Sequence, residues 1–295
     1  MQYRADIEGL RAVAIVPIVL FHAGLESIAG GFVGVDVFYV ISGFLITSII
    51  VPDLERDRFS LLDFYRKRAV RILPALYVMV AVVLVVGSQR LFPDDLRSLA
   101  ASATAAVAFV SNIHFWLSAG YFGPAAESLP LLHTWSLGVE QQFYLFYPLL
   151  LMAIRRFAPG RVVAILVATA LASFALSLVW AYRAPTDGFY LLPSRVWELV
   201  LGGLVALGAF PKLATARGRD AAALAGLGLV LLGTAIIRAQ DHFPAPWGLL
   251  PAGGTALIAA YGAEAVTARL FTWAPVRRIG AISYSLYLWH WPIIT

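Results

Sequence analysis

Five ionisable side chains stand inside long apolar stretches of the sequence: His22, Asp36, Glu140, Glu198 and His290. Such groups are costly in hydrocarbon and tend to face a cavity or a partner. Arg11, Arg68, Arg71 and Arg195 lie at the ends of those stretches. On an α-helix, the eleven-residue spacing of Arg11 and His22 puts both on one face, about 16 Å apart. A neutral imidazole accepts a proton near neutral pH, which makes His22 a candidate general base. A snorkelling arginine with a packed histidine accounts for the same spacing about equally well. Asp36 lies in GGFVGVDVFYVISG (residues 30–43), just past a short turn and at a depth similar to that of His22. A carboxylate there could orient the imidazole and stabilise its cation. It could equally pair with any donor on a neighbouring helix, and the glycines around it suit close helix approach.

The segment FYRKRAVRILP (64–74) carries Arg68 and Arg71 at i, i+3, so they share a helix face. Guanidinium forks match phosphate oxygens; topology-setting charge against lipid headgroups is the plainer reading. In HTWSLGVEQQFY (133–144), Glu140 could hold an acceptor hydroxyl, pair with an arginine or serve structure. Tyr284, Tyr287 and His290 recur at i, i+3, i+6 in SYSLYLWHWP (283–292) and could line a cavity or form an interfacial aromatic belt. Arg195 and Glu198, at i, i+3 in SRVWE, read first as an intrahelical ion pair and second as substrate contacts. The chain has no cysteine, which excludes disulfides, thiol nucleophiles and cysteine metal sites. HExxH, Walker and GxSxG patterns are missing, and His114, His133 and His242 lack metal-ligand spacing. No metal is expected.

The elements that must hold these groups are membrane helices. Of the 295 residues, 60% are hydrophobic and 13% charged; soluble domains carry about 25% charged residues. The mean hydropathy is +0.80. We expect an all-α, polytopic helical bundle forming one domain over 1–295. A span needs about 20 apolar residues. Spans are expected near 10–29, 32–51, 72–91, 134–154, 162–182, 195–210, 221–237, 247–264 and 281–295. The Ala/Ser/Thr-rich stretch 98–117 is ambiguous. If the N-terminus is cytoplasmic and 98–117 does not cross, 17 of the 22 basic residues fall inside; if it crosses, the two sides hold equal numbers. Positive charge favours the cytoplasmic side, so 98–117 is read as a re-entrant or interfacial helix beside nine spans. Residues 120–130 read as an outer loop. The net charge of +5 reflects these cytoplasmic loops rather than a nucleic-acid partner. No cleavable signal peptide is recognisable, so the first apolar segment is a retained anchor. Thr295 falls inside an apolar segment of marginal length, so the domain is expected to continue past it.

Taken together, five stretches resemble the acyltransferase 3 family. They are IEGLRAVAIVPIVLFH with its R-x10-H pattern from Arg11 to His22, GGFVGVDVFYVISGFLI, FYRKRAVRILP with Arg68 and Arg71, HTWSLGVEQQFY, and ISYSLYLWHWPI. They occur in family order from residue 7 to 294. Gln141 stands where the family often carries a second acid. The resemblance implies a ten-span domain that moves an acyl group, often acetyl, onto surface glycans. It implies acyl-CoA as donor substrate, with no permanently bound cofactor, and a glycan or glycolipid acceptor. It further implies a bacterial plasma membrane location with the N-terminus in the cytoplasm, and an SGNH-type extracytoplasmic domain, fused or separate. On that footing His22 and Asp36 are the expected catalytic pair. Arg11, Arg68 and Arg71 would bind the donor phosphates. Glu140, Tyr284, His290, Arg195 and Glu198 would bind acceptor or hold the cavity. A proton-coupled transporter is the competing class, disfavoured because no inverted repeat links the chain halves.

Overall fold

The computed structural model describes residues 4–119, 129–238 and 241–295. Most of the loop expected at 120–130 lies outside them. Fourteen α-helices occur among the described residues, and no strand. In order they are α1 (Ala5–His22), α2 (Gly34–Glu55), α3 (Leu61–Arg90), α4 (Pro93–Val107), α5 (Ser111–Ser118), α6 (Thr134–Phe157) and α7 (Val162–Arg183), followed by α8 (Pro185–Tyr190), α9 (Val196–Ala206), α10 (Ala216–Ile236), α11 (Leu249–Tyr261), α12 (Thr267–Thr272), α13 (Ala274–Ala281) and α14 (Ser283–Ile294). The chain is an all-α, multi-pass membrane bundle.

Among the described residues, five helices are long and apolar enough to cross a membrane: α2 with its preceding turn, α3, α6, α7 and α10. They differ in what surrounds them. In the most apolar part of α2, 78% of residues are buried inside the protein, against 17% in α7. A helix apolar all round is an inner helix when its neighbours cover it and a lipid-facing one when they do not. Thus α2 is the hub, and α7 turns Leu171 and Val179 outward.

The hub packs most extensively on α9, and glycines set that contact. A side chain at Gly43 would collide with the Leu199 carbonyl, and one at Gly202 with the Val40 carbonyl. The two backbones therefore meet directly, as small residues permit between membrane helices. This crossing fixes which face of α2 looks at α9.

Three expected spans are shorter than drawn. The helices within 195–210, 247–264 and 281–295 have 11, 13 and 12 residues. At 1.5 Å per residue each covers roughly 16–20 Å, less than the hydrocarbon thickness of about 30 Å. The single helix expected over 98–117 is corrected to two. Helix α4 opens on Pro93, with Asp94 and Asp95 in its first turn, a favourable N-terminus. It ends before Phe109, which takes φ 56°, and α5 begins at Ser111. The break is tied to α6 by side-chain amides. Gln142 donates to Asn112 Oδ1 at 2.7 Å and to the Phe109 carbonyl at 3.1 Å. Apolar periodicity carries no sign of such a tertiary tie.

Candidate active site

Arg11 of α1, Arg68 and Arg71 of α3, and Glu140 and Tyr144 of α6 line one cavity, together with Ser42, Tyr39, Tyr284 and Tyr287. Three guanidinium groups face a single carboxylate, so the cavity is cationic. Glu140 is held from two sides, accepting from Tyr144 Oη at 2.8 Å and from Ser42 Oγ. The Arg68 guanidinium lies 5.5 Å from the Tyr144 ring centre and 5.7 Å from that of Phe64. Stacking on two rings aims its planar fork without consuming its donors. Free space in the cavity, counted out into the solvent at its mouth, is about 840 Å³. Glu140 and Tyr284, expected to bind acceptor or hold the cavity, both stand in the wall with the arginines, and Tyr284 donates to the Ile72 carbonyl at 3.0 Å.

His22 lines a second, larger cavity that opens to solvent. Its other walls include His133, Arg195 and Asp241 and a rim of rings: Phe21, Phe32, Trp135, Phe189, Tyr190, Phe243 and Trp291. Arg11 and His22 therefore face different chambers, separated along α1 by their eleven-residue rise of about 16 Å. The chambers share two wall residues, Val35 and Tyr287. Tyr287 Oη donates to the His133 carbonyl at 2.8 Å and meets Ser136 Oγ at 2.5 Å. Both partners belong to the start of α6, so the partition is braced rather than free to swing.

The expected contact between Asp36 and His22 is not formed. Asp36 is fully buried and pairs with Arg195 at 3.4 Å. Arg195 also pairs with Glu198 at 3.1 Å. The simple intrahelical pair is thus one edge of a buried triad, with two carboxylates on one guanidinium. Arg195 is further packed against the rings of Tyr39 and Phe243, each 5.3 Å away. It borders the histidine chamber, whereas Asp36 and Glu198 line neither chamber. The neighbour His22 does have is His290. Its Nδ1 lies 3.0 Å from His290 Nε2, and the rings stack at 5.1 Å. His133 stands edge-on to His290 at 5.7 Å. Among the described residues no three His, Asp or Glu side chains are placed to hold a metal ion.

Two participants escaped the reading of the sequence. His133 was set aside for want of metal-ligand spacing, yet its ring packs beside the His22 partner. Val35 is an ordinary apolar residue, and nothing in its type marks it as a partition. Tyr287 did carry a signal, through its place between Tyr284 and His290 on one helix face.

Comparison with known proteins gives the family. A family model described as an acyltransferase domain matches residues 4–295. The peptidoglycan O-acetyltransferase OatA of Listeria monocytogenes is 33% identical over 314 residues, covering 100% of this chain and 50% of that protein. The O-acetyltransferase OatA of Staphylococcus aureus is 31% identical over 311 residues, covering 99% of this chain and 51% of that protein. A putative membrane-bound transacylase, BcsY, of Komagataeibacter xylinus is 36% identical, covering 98% of this chain and 72% of that protein. The chain thus spans about half the length of the OatA relatives. No solved structure matches. With a family model matched across nearly its whole length, the chain belongs to the acyltransferase 3 family of membrane acyltransferases.

Proposed function

We propose that the chain carries an acetyl group from cytoplasmic acyl-CoA to a hydroxyl of an extracytoplasmic glycan. The observation that supports this most is the pair of chambers, one cationic and one holding His22, with Val35 and Tyr287 between them. Arg11, Arg68 and Arg71 bind the phosphates of the donor from the cytoplasmic side of a bacterial plasma membrane, where the N-terminus lies. The extended pantetheine arm then covers the distance of about 16 Å toward His22. The larger chamber, rimmed by aromatic rings, takes the acceptor sugar. Arg195 stands at its edge as a fixed polar contact.

The chemistry balances with groups of this chain. The acceptor oxygen attacks the thioester carbonyl carbon, and a C–O bond forms as the C–S bond breaks. His22 takes the hydroxyl proton and delivers it to the departing thiolate, which leaves as free thiol. Acetyl as the group moved, and a glycan as its destination, follow the activities named for the OatA relatives. Their additional length is consistent with a further domain that works with this one, for which an SGNH-type extracytoplasmic domain is the candidate.

The test is labelled acetyl-CoA supplied to the cytoplasmic face of inside-out vesicles. Label on a lumenal glycan is the expected result. Intact acetyl-CoA together with movement of a small solute would instead make the chain a transporter.

A further inference from the structure

The hydrogen-bond geometry around His290 determines which nitrogen of His22 is bare. His290 Nδ1 lies 2.8 Å from the Tyr287 carbonyl and 3.2 Å from the Leu286 carbonyl. Carbonyl oxygens only accept, so His290 Nδ1 carries the hydrogen. In a neutral ring that leaves Nε2 as an acceptor. The atom facing it, 3.0 Å away, is His22 Nδ1, which therefore donates. A neutral His22 with its hydrogen on Nδ1 has an unprotonated Nε2, the state a general base requires. Among the described residues, the third imidazole, His133, makes no hydrogen bond to either of these rings. The Trp291 ring, 4.7 Å from His22 and edge-on to it, and the neighbouring Phe21 ring at 5.1 Å limit rotation of the imidazole.

We infer that His290 is a positioning residue for acyl transfer. Anchored to the backbone of its own helix turn, it holds His22 in the tautomer whose Nε2 is free to take the acceptor proton. This inference rests on the acyl-transfer reading, and it gives His290 the orienting task that the sequence had suggested for Asp36. His290 then touches neither donor nor acceptor; it acts through His22.

The test has a readout besides activity. The protein, labelled with 15N in its imidazoles and held in lipid nanodiscs, is examined by NMR at alkaline pH, with His22→Gln assigning the His22 signals. We expect His22 to be protonated at Nδ1 and bare at Nε2. His290→Gln places an amide oxygen where Nε2 was, and should keep both the tautomer and transfer within roughly tenfold of the parent. His290→Leu offers no acceptor; the tautomer should be lost and kcat should fall by roughly 10²-fold, with KM for the acyl donor unchanged. A His22 ring protonated at Nε2 in the parent protein would overturn the inference, as would a His290→Leu protein with unaltered tautomer and rate. The two readings fail separately. If His22→Ala is inactive but the hydrogen sits on Nε2, acyl transfer stands and the positioning role falls. If the tautomer is as expected but His22→Ala transfers normally, the base role falls and the contact stands.

Discussion

His22 Nδ1 and His290 Nε2 lie 3.0 Å apart although 268 residues separate them in sequence. The contact joins the first helix to α14, so the proposed base is positioned only when those two helices have packed. Helices α1 and α13 are also bound by an ion pair, Glu8 with Arg277 at 3.0 Å. Two ties, one near each end of α1, therefore set its axial position against the C-terminal helices.

Replacing His22 with alanine should abolish transfer while the protein remains folded. The ring is half-buried at a chamber wall, so its loss leaves no sealed void. A general base contributes roughly 10²–10⁴-fold, and kcat should fall by that order with acyl-donor binding retained. Single-turnover transfer in proteoliposomes, alongside a thermal-unfolding curve, checks both halves.

The double substitution Arg68→Ala, Arg71→Ala should act on the donor. Hydrogen bonds to charged groups are worth about 1.5–3 kcal/mol each, so KM for acyl-CoA should rise by roughly tenfold or more. Arg68→Lys should recover only part of this, because an ammonium lacks the fork that stacks on Tyr144 and Phe64. Donor titrations at several salt concentrations are the measurement. Unchanged binding would leave the two arginines as topology charges.

Enlarging the partition should separate binding from turnover. Val35→Phe adds bulk where the two chambers adjoin and leaves the arginines untouched. Acyl-CoA should still bind, and turnover should drop by about 10²-fold, as when reacting groups are held out of register. Equal loss of binding and turnover would show that the chambers do not act in series.

The buried triad should respond to charge count. Arg195→Leu strands two carboxylates in the interior, and breaking a buried pair costs about 3–5 kcal/mol. That is a large share of a folding stability of about 5–15 kcal/mol. Glu198→Gln instead leaves Asp36 and Arg195 as a one-to-one pair. It should be more stable than Arg195→Leu by at least ~2 kcal/mol. Unfolding in mild detergent would rank the two, and the reverse order would remove the triad as a structural element.

Much of the site could be read in the sequence because charge in an apolar helix is conspicuous. Arg11, Arg68 and Arg71 gather in one cavity; spacing had joined Arg68 to Arg71, and the family resemblance had added Arg11. Axial depth was readable too, since Arg11 and His22 needed only helix geometry. Rotation about the helix axis was harder. Asp36 was assigned to His22 on depth alone, yet it faces Arg195 of the opposite neighbour. A clue was present: Asp36, Val40 and Gly43 fall at i, i+4 and i+7, on one face. Gly43 and Val40 are where α9 crosses, so Asp36 had to look at α9 as well. The break at Phe109 was unreadable for a different reason, since it depends on the amide contact between Asn112 and Gln142 across 30 residues.

The partition of Val35 and Tyr287 has an electrical consequence. On the proposed reading, the same two side chains that let a small acyl group past also insulate the membrane at that point. Each elementary charge falling through 100 mV releases about 2.3 kcal/mol, so an unsealed path would conduct. Widening the partition to admit longer acyl chains would therefore short-circuit the membrane as well as relax specificity. On that reading, the size of the group handed across is limited by dielectric integrity, not only by fit.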